Sequence, residues 1–140
     1  MDNIPNRIIP KIDIKDLNLV KGIRLEGLRV LGDPNNFAKH YYNNFADEIY
    51  FQDVVASLLG RNSLYDFIDD ITKEIFIPIT VGGGIRTIED ISKMLSVGAD
   101  KISINTQALK TPDFINKSAN LYGSSTIVVS VEVIENQHGK

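Results

Sequence analysis

The sequence predicts an α/β protein with a parallel sheet. Three observations carry that expectation. Short runs rich in Ile and Val alternate with helical stretches along the chain. Turn and cap residues punctuate them, as in Gly82-Gly83-Gly84, Gly98 and Gly123. The strand-then-helix unit recurs four times before a last strand-like run, and such helical crossovers are the connections that parallel strands require.

The elements follow in order. Residues 8–14 read as the first strand, with a polar loop from there to Gly32. Asp33-Pro34 reads as an N-cap followed by proline at the first helical position, opening a helix to about Asn44. Residues 48–54 are the second strand and residues 63–74 the second helix. Residues 77–81 are the third strand, which ends in the glycine triplet. Thr87 caps the third helix, with Asp90 three residues on as a capping box, and Ile88, Ile91, Met94 and Leu95 form its apolar stripe. Gly98 closes it. Residues 101–105 are the fourth strand, Thr111-Pro112 opens a fourth helix that Gly123 ends, and residues 126–134 are a fifth strand.

Two architectures satisfy this pattern, an open doubly wound sheet and part of a closed barrel. A complete barrel takes roughly 200 residues or more, and this chain has 140. We therefore expect a single domain over residues 1–140, with the shape of a portion of a fuller barrel if the barrel reading holds. The net charge of −3 argues against a nucleic-acid partner, since phosphate backbones want a basic face. There is no cysteine, and the two histidines, His40 and His138, lack ligand spacing, so neither a disulfide nor a metal centre is expected. No apolar run is long enough for a membrane span and no secretory leader is evident, which points to a cytoplasmic protein without a membrane partner.

Candidate chemistry gathers at strand ends. Arg7, Ile9, Lys11 and Asp13 share one face of the first strand, and Asp13 stands at its C-terminal end, where both sheets and barrels place their sites. The plain alternative is a loop carboxylate or an N-cap. Gly83 and Gly84 let the backbone approach an anion closely, or else merely make a tight turn. Lys101, Ser103 and Asn105 share a face of the fourth strand, and Asn105-Thr106 at its end can donate to a phosphate. A lysine inside a sheet needs a carboxylate partner. Glu48 starts the second strand and Arg7 precedes the first, so the three either meet at the bottom of the sheet or stand as separate solvated charges.

Seven segments now matter together: Arg7-Ile8-Ile9-Pro10, Asp13-Ile14-Lys15, Val20-Lys21-Gly22, Gly32-Asp33-Pro34, Asp53-Val54-Val55-Ala56-Ser57, Thr80-Val81-Gly82-Gly83-Gly84-Ile85 and residues 98–106. In their order and spacing the chain resembles the cyclase subunit of imidazole glycerol phosphate synthase, of histidine biosynthesis. The resemblance implies half of a (β/α)₈ TIM barrel, (βα)₄ followed by one extra strand. It implies a lyase of the cyclase type that uses ammonia to convert a phosphorylated ribulosyl aminoimidazole carboxamide nucleotide to imidazole glycerol phosphate, with no cofactor. Its implied partners are a glutaminase that supplies the ammonia and, for a half-barrel, a second copy of the chain. By resemblance Asp13 is one catalytic carboxylate and Glu132 stands at the position of the second. Lys21 belongs to a loop that closes on substrate, and Gly83, Gly84, Asn105 and Thr106 match the phosphate site. Arg7, Glu48 and Lys101 match the gate where ammonia enters, and Asp100 matches a residue near the glutaminase interface.

Three features depart from the family. Glu132 is a methylene longer than the family's aspartate, Lys11 faces the lumen where an apolar or small residue is usual, and the second half of the barrel lies outside this sequence. Tyr50 and Gln52 also look inward. These departures imply two alternatives, a paralogous ammonia-channelling subunit for amidation of surface sugars and a non-catalytic half-barrel module.

Overall fold

Isoleucine and valine set the strands, and the polar residues between them set the inner surface. The structure, a computed structural model, describes residues 6–23, 27–55 and 62–133. Along the chain run β1 (Lys11–Lys15), β2 (Asn18–Ile23), β3 (Gly27–Gly32), α1 (Pro34–Asn43), β4 (Ile49–Asp53), α2 (Asn62–Ile71) and β5 (Ile79–Gly82). Then come α3 (Ile88–Ser96), β6 (Lys101–Ile104), α4 (Thr106–Lys110), α5 (Asp113–Tyr122) and β7 (Ile127–Val129).

Strand order decides between the two architectures. β1, β4, β5, β6 and β7 are parallel neighbours in the order in which they occur in the chain. A doubly wound sheet reverses its order at a switch point; this one runs in a single direction, which is barrel winding. One face of the strands carries Ile12, Ile14, Ile49, Phe51, Val81, Ile102 and Ile104, all buried in the apolar core. Phe51 meets Phe67 of α2 edge to face at 5.2 Å between centroids. The alternate positions Lys11, Asp13, Tyr50, Gln52 and Ser103 face the other way and carry the polar groups.

Local chemistry fixes the helix starts as the sequence implies. Asp33 accepts a 3.0 Å hydrogen bond from Asn35 N with Pro34 behind it, and Thr87 and Asp90 form a reciprocal capping box. Asp90 also accepts from Arg86 N at 2.9 Å, which ties the loop after β5 to α3.

Four expectations need correction. The segment up to Gly32 is not a loop but the antiparallel hairpin β2–β3, joined to β1 through Ile14↔Leu19 and Lys15↔Asn18. Leu19 and Val20 are buried there, which gives the hairpin its anchor. The first strand begins at Lys11, because Pro10 has no N–H to enter a ladder. A short helix, α4, precedes the expected fourth helix, which itself starts at Asp113. The fifth strand pairs with β6 only over Ile127–Val129; Ser130 still donates to Ile104 O at 3.0 Å, and Ile134 lies outside the described residues. Among the described residues no helix is long and apolar enough to cross a membrane.

Candidate active site

The inner face carries three levels of polar groups. At the lowest, where the strands begin, Glu48 is buried and hydrogen-bonded to Thr80 of β5. Lys101 Nζ lies 2.5 Å from Glu48 Oε2, and Arg7 Nη1 lies 3.7 Å from the same oxygen. The strand register brings these residues together, and Glu48 gives the buried end of Lys101 its counter-charge. Asp100, beside this cluster, accepts from Ile79 N at 2.8 Å and so ties β6 to β5.

One level up, the Tyr50 hydroxyl is hydrogen-bonded to Gln52 at 2.5 Å and to Ser103 at 2.9 Å. Gln52 donates in turn to Asp53 O at 3.1 Å. Gly82 lies beneath this bridge. A Cβ on it would stand 2.7 Å from Gln52 Oε1 and 2.8 Å from the Tyr50 hydroxyl, so glycine is the residue that lets the bridge cross β5. Lys11 Nζ sits 5.7 Å above the Tyr50 ring and 3.2 Å from Asp13 Oδ1. That oxygen is out of solvent and has no hydrogen bond among the described residues, where Lys11 meets it by charge.

At the top, the C-terminal ends of the strands enclose a cavity of about 660 Å³. Gly83, Gly84, Asn105, Thr106 and Glu132 line it, from three different strand ends. Gly83 and Gly84 have φ of 105° and 69°. A Cβ on Gly83 would lie 2.2 Å from Asp53 O, so the loop passes too close to β4 for any side chain. Lys11, Gln52, Asp53 and Ser103 form the floor, and Arg86 and Lys110 the rim. Burial pushes the Asp53 carboxyl above the usual carboxylate range; the Val55 N–H donated to it opposes this, and Asp16 nearby adds to it. Among the described residues no group of three or more His, Cys, Asp or Glu side chains is arranged to hold a metal ion.

Of the sequence candidates, Gly83, Gly84, Asn105, Thr106 and Glu132 share the cavity, and Arg7, Glu48 and Lys101 share the lower cluster. Asp13 adjoins the cavity through Lys11 rather than lining it. Lys21 does not reach the cavity and is not on a loop: it pairs with Arg29 inside the β2–β3 hairpin and is exposed. The sequence reading missed Arg86 and Lys110. Their signal was position, each a few residues beyond the glycine triplet or Asn105-Thr106.

The chain matches the family described as histidine biosynthesis protein over residues 7–139. It is 47% identical over 140 residues to the imidazole glycerol phosphate synthase subunit HisF of Legionella pneumophila, covering all of this chain and 65% of that one. It is 44% identical to the HisF subunit of Campylobacter concisus over 139 residues, covering 99% of this chain and 55% of the relative. With the HisF subunit of Methanopyrus kandleri it shares 46% identity over 129 residues, covering 92% and 47%. The chain thus spans about half the length of the relatives it matches, about half of their barrel. On the match over residues 7–139 and these identities, the chain belongs to the histidine biosynthesis protein family.

Proposed function

We propose that this chain supplies the first half, with the fifth strand, of a cyclase of the imidazole glycerol phosphate synthase type, acting in the cytoplasm. One observation carries the reading: the cavity at the strand C-termini gathers two glycines, Asn105-Thr106 and Glu132, and Asp13 is coupled to it through Lys11. Barrel enzymes work at that end. Glycine, asparagine and threonine donors suit a phosphate of the phosphorylated nucleotide substrate. Two carboxylates, Asp13 and Glu132, suit a reaction in which ammonia adds to a carbonyl, water leaves and ring closure breaks a C–N bond, since protons are given and taken at more than one stage. The β2–β3 hairpin, with Lys21, is the element that would close over bound substrate. No cofactor enters this chemistry.

The lower face suits a partner that delivers ammonia, a glutaminase. Around the Arg7–Glu48–Lys101 gate, Ile8, Phe45 and Phe76 are 68%, 90% and 77% exposed on the segments that lead into β1, β4 and β5. Phe45 holds a φ of 64°, a left-handed backbone that a bulky residue rarely adopts. Exposed apolar groups around a charged centre mark a docking face. A second copy of the chain is the other proposed partner, through the open sheet edges.

The test is conversion of the phosphoribulosyl substrate with ammonium salt. The chain is assayed alone and with a glutaminase and glutamine, with Asp13→Asn as the inactive control. No turnover by the chain in either case, with substrate still bound, would favour the non-catalytic module. The lumen favours a second reading. Lys11, Tyr50 and Gln52 make a polar layer above the gate, and a changed lumen suits the amidation of a sugar by a paralogous ammonia-channelling subunit. Activity with the histidine-pathway substrate separates these two.

A further inference from the structure

The polar residues of the cavity fall into two sets. On the floor, Lys11 is paired with Asp13, Gln52 with Tyr50, Ser103 with Tyr50, and Asp53 with Val55 N. On the rim, the side chains of Arg86, Asn105, Thr106 and Lys110 make no hydrogen bond or ion pair among the described residues. Polar groups that have partners hold the fold together; polar groups without them are what a ligand can claim.

The inventory of the rim is one-sided. A guanidinium offers five N–H donors and no acceptor, an ammonium three and none, and Asn105 and Thr106 add a neutral donor group each. The same lining holds the carboxylate Glu132, on the segment after β7, which makes no hydrogen bond or ion pair among the described residues. The complement of such a rim is a group made of acceptors and carrying more than one negative charge. Arg86 follows the Gly83-Gly84 turn and Lys110 ends α4, which starts at Thr106, so a cation stands just beyond each of the two donor segments. The backbone N–H of Arg86 is already fixed by Asp90, which sets where its side chain leaves the loop.

We propose that Arg86 and Lys110 complete the phosphate site as a cationic clasp, with one cation for each negative charge of the bound group. This rests on the phosphate reading of Gly84, Asn105 and Thr106 and goes beyond it in naming the two cations that meet the ligand's charge. A monoester carries close to two negative charges at neutral pH, one for each cation, and three acceptor oxygens. A phosphodiester, or the inner phosphates of a nucleotide-linked sugar, carries one charge per phosphorus and fits the clasp poorly.

The experiment is titration calorimetry on the 140-residue chain with inorganic phosphate, methyl phosphate and dimethyl phosphate. The variants are Arg86→Gln, Lys110→Gln and Asn105→Ala; the Arg86 and Lys110 side chains have no partner to lose among the described residues, and circular dichroism checks each fold. Methyl phosphate is expected to bind more tightly than dimethyl phosphate by about tenfold, and each cation variant to lose about tenfold in affinity for the monoester, the usual scale for a charged hydrogen bond. The salt dependence should flatten in both. Wild-type chain that binds no phosphate at all overturns the clasp together with the phosphate site beneath it. Binding that Asn105→Ala weakens but Arg86→Gln and Lys110→Gln leave unchanged overturns the clasp alone. Equal affinity for the two methyl esters overturns the pairing of two cations with two charges, and with it the clasp.

Discussion

The Tyr50 hydroxyl reaches across β5 to Ser103 on β6, 2.9 Å away, over a residue that has no side chain. Gly82 makes that reach possible. Gly82→Ala should therefore cost about 1–3 kcal/mol, as overpacking in a fitted site does. Pairing it with Tyr50→Phe should recover part of the loss, since the clash at 2.8 Å is with the hydroxyl. Urea denaturation of the single and double variants measures both. Equal stability of Gly82→Ala and wild type would mean that the bridge does not fill the space over β5.

Glu48 holds two cations from one buried position. Glu48→Ala should destabilise by about 2–4 kcal/mol, because it strands Lys101 beside buried Thr80. Glu48→Met combined with Lys101→Met should restore most of that, since an apolar pair of similar volume avoids the unpaired charge. A double-mutant cycle by chemical denaturation checks this. If the two losses simply add, the pair is not coupled.

Asp53 titrates against its burial. Its carboxyl binds a proton more tightly in the folded chain than in the unfolded one, chiefly through desolvation. Such a group contributes stability at pH values below its unfolded pKa and loses that contribution as pH rises through the raised folded value. Asp53→Asn keeps an acceptor for Val55 N and removes the charge. It should stabilise the chain at pH 7 by less than about 1 kcal/mol, the scale of partly screened charges. The gain should vanish below the ordinary carboxylate range. Melting temperatures from pH 3 to 8 report the trend, and a gain that grows on acidification would contradict it.

Much of this was legible in the sequence, for local reasons. Asp33-Pro34 and Thr87 with Asp90 announce helix starts because a cap is made by residues that are sequence neighbours. Arg7, Glu48 and Lys101 were legible through strand register, since side chains of one parity share a face. The β2–β3 hairpin was not. Lys21 and Arg29 break its alternation of apolar groups, and its anchor, Leu19 and Val20, is tertiary. The helix α4 has too few residues to develop a period. Arg86 and Lys110 were illegible as a pair because only folding brings the turn after β5 and the end of α4 to one cavity.

Thr87 joins the fold to the site. Its hydroxyl accepts from Asp90 N at 3.1 Å, while Asp90 accepts from Arg86 N and Thr87 N, both at 2.9 Å. Thr87→Ala should cost about 1 kcal/mol, the usual worth of an N-cap. Asp90→Ala should cost more, because Asp90 is buried and two loop amides lose their acceptor. Asp90→Ala should also weaken phosphate binding by loosening the loop that carries Gly84 and Arg86. Denaturation and phosphate titration on the same two variants separate a loss of helix stability from a loss of loop order.

Assembly is decided at the sheet edges. β1 pairs with the hairpin through Ile14 and Lys15, so its outer edge over Lys11–Asp13 carries no strand among the described residues. At the other end β7 pairs, among the described residues, with β6 alone, and Val129, Val131 and Val133 are 48%, 65% and 86% exposed. Open edges and exposed apolar side chains drive association. Two copies of the 140-residue chain related by a twofold axis can pair the edges of one with those of the other. The chain is therefore expected to sediment as a dimer at micromolar concentration. In an eight-stranded closure, though, the partner's β1 needs the place beside β6 that β7 occupies. Removing residues 126–140 frees that place and should strengthen the dimer. A monomer by sedimentation in both forms would sink the edge-pairing idea, and a dimer that the truncation abolishes would show that β7 makes the contact instead of competing for it.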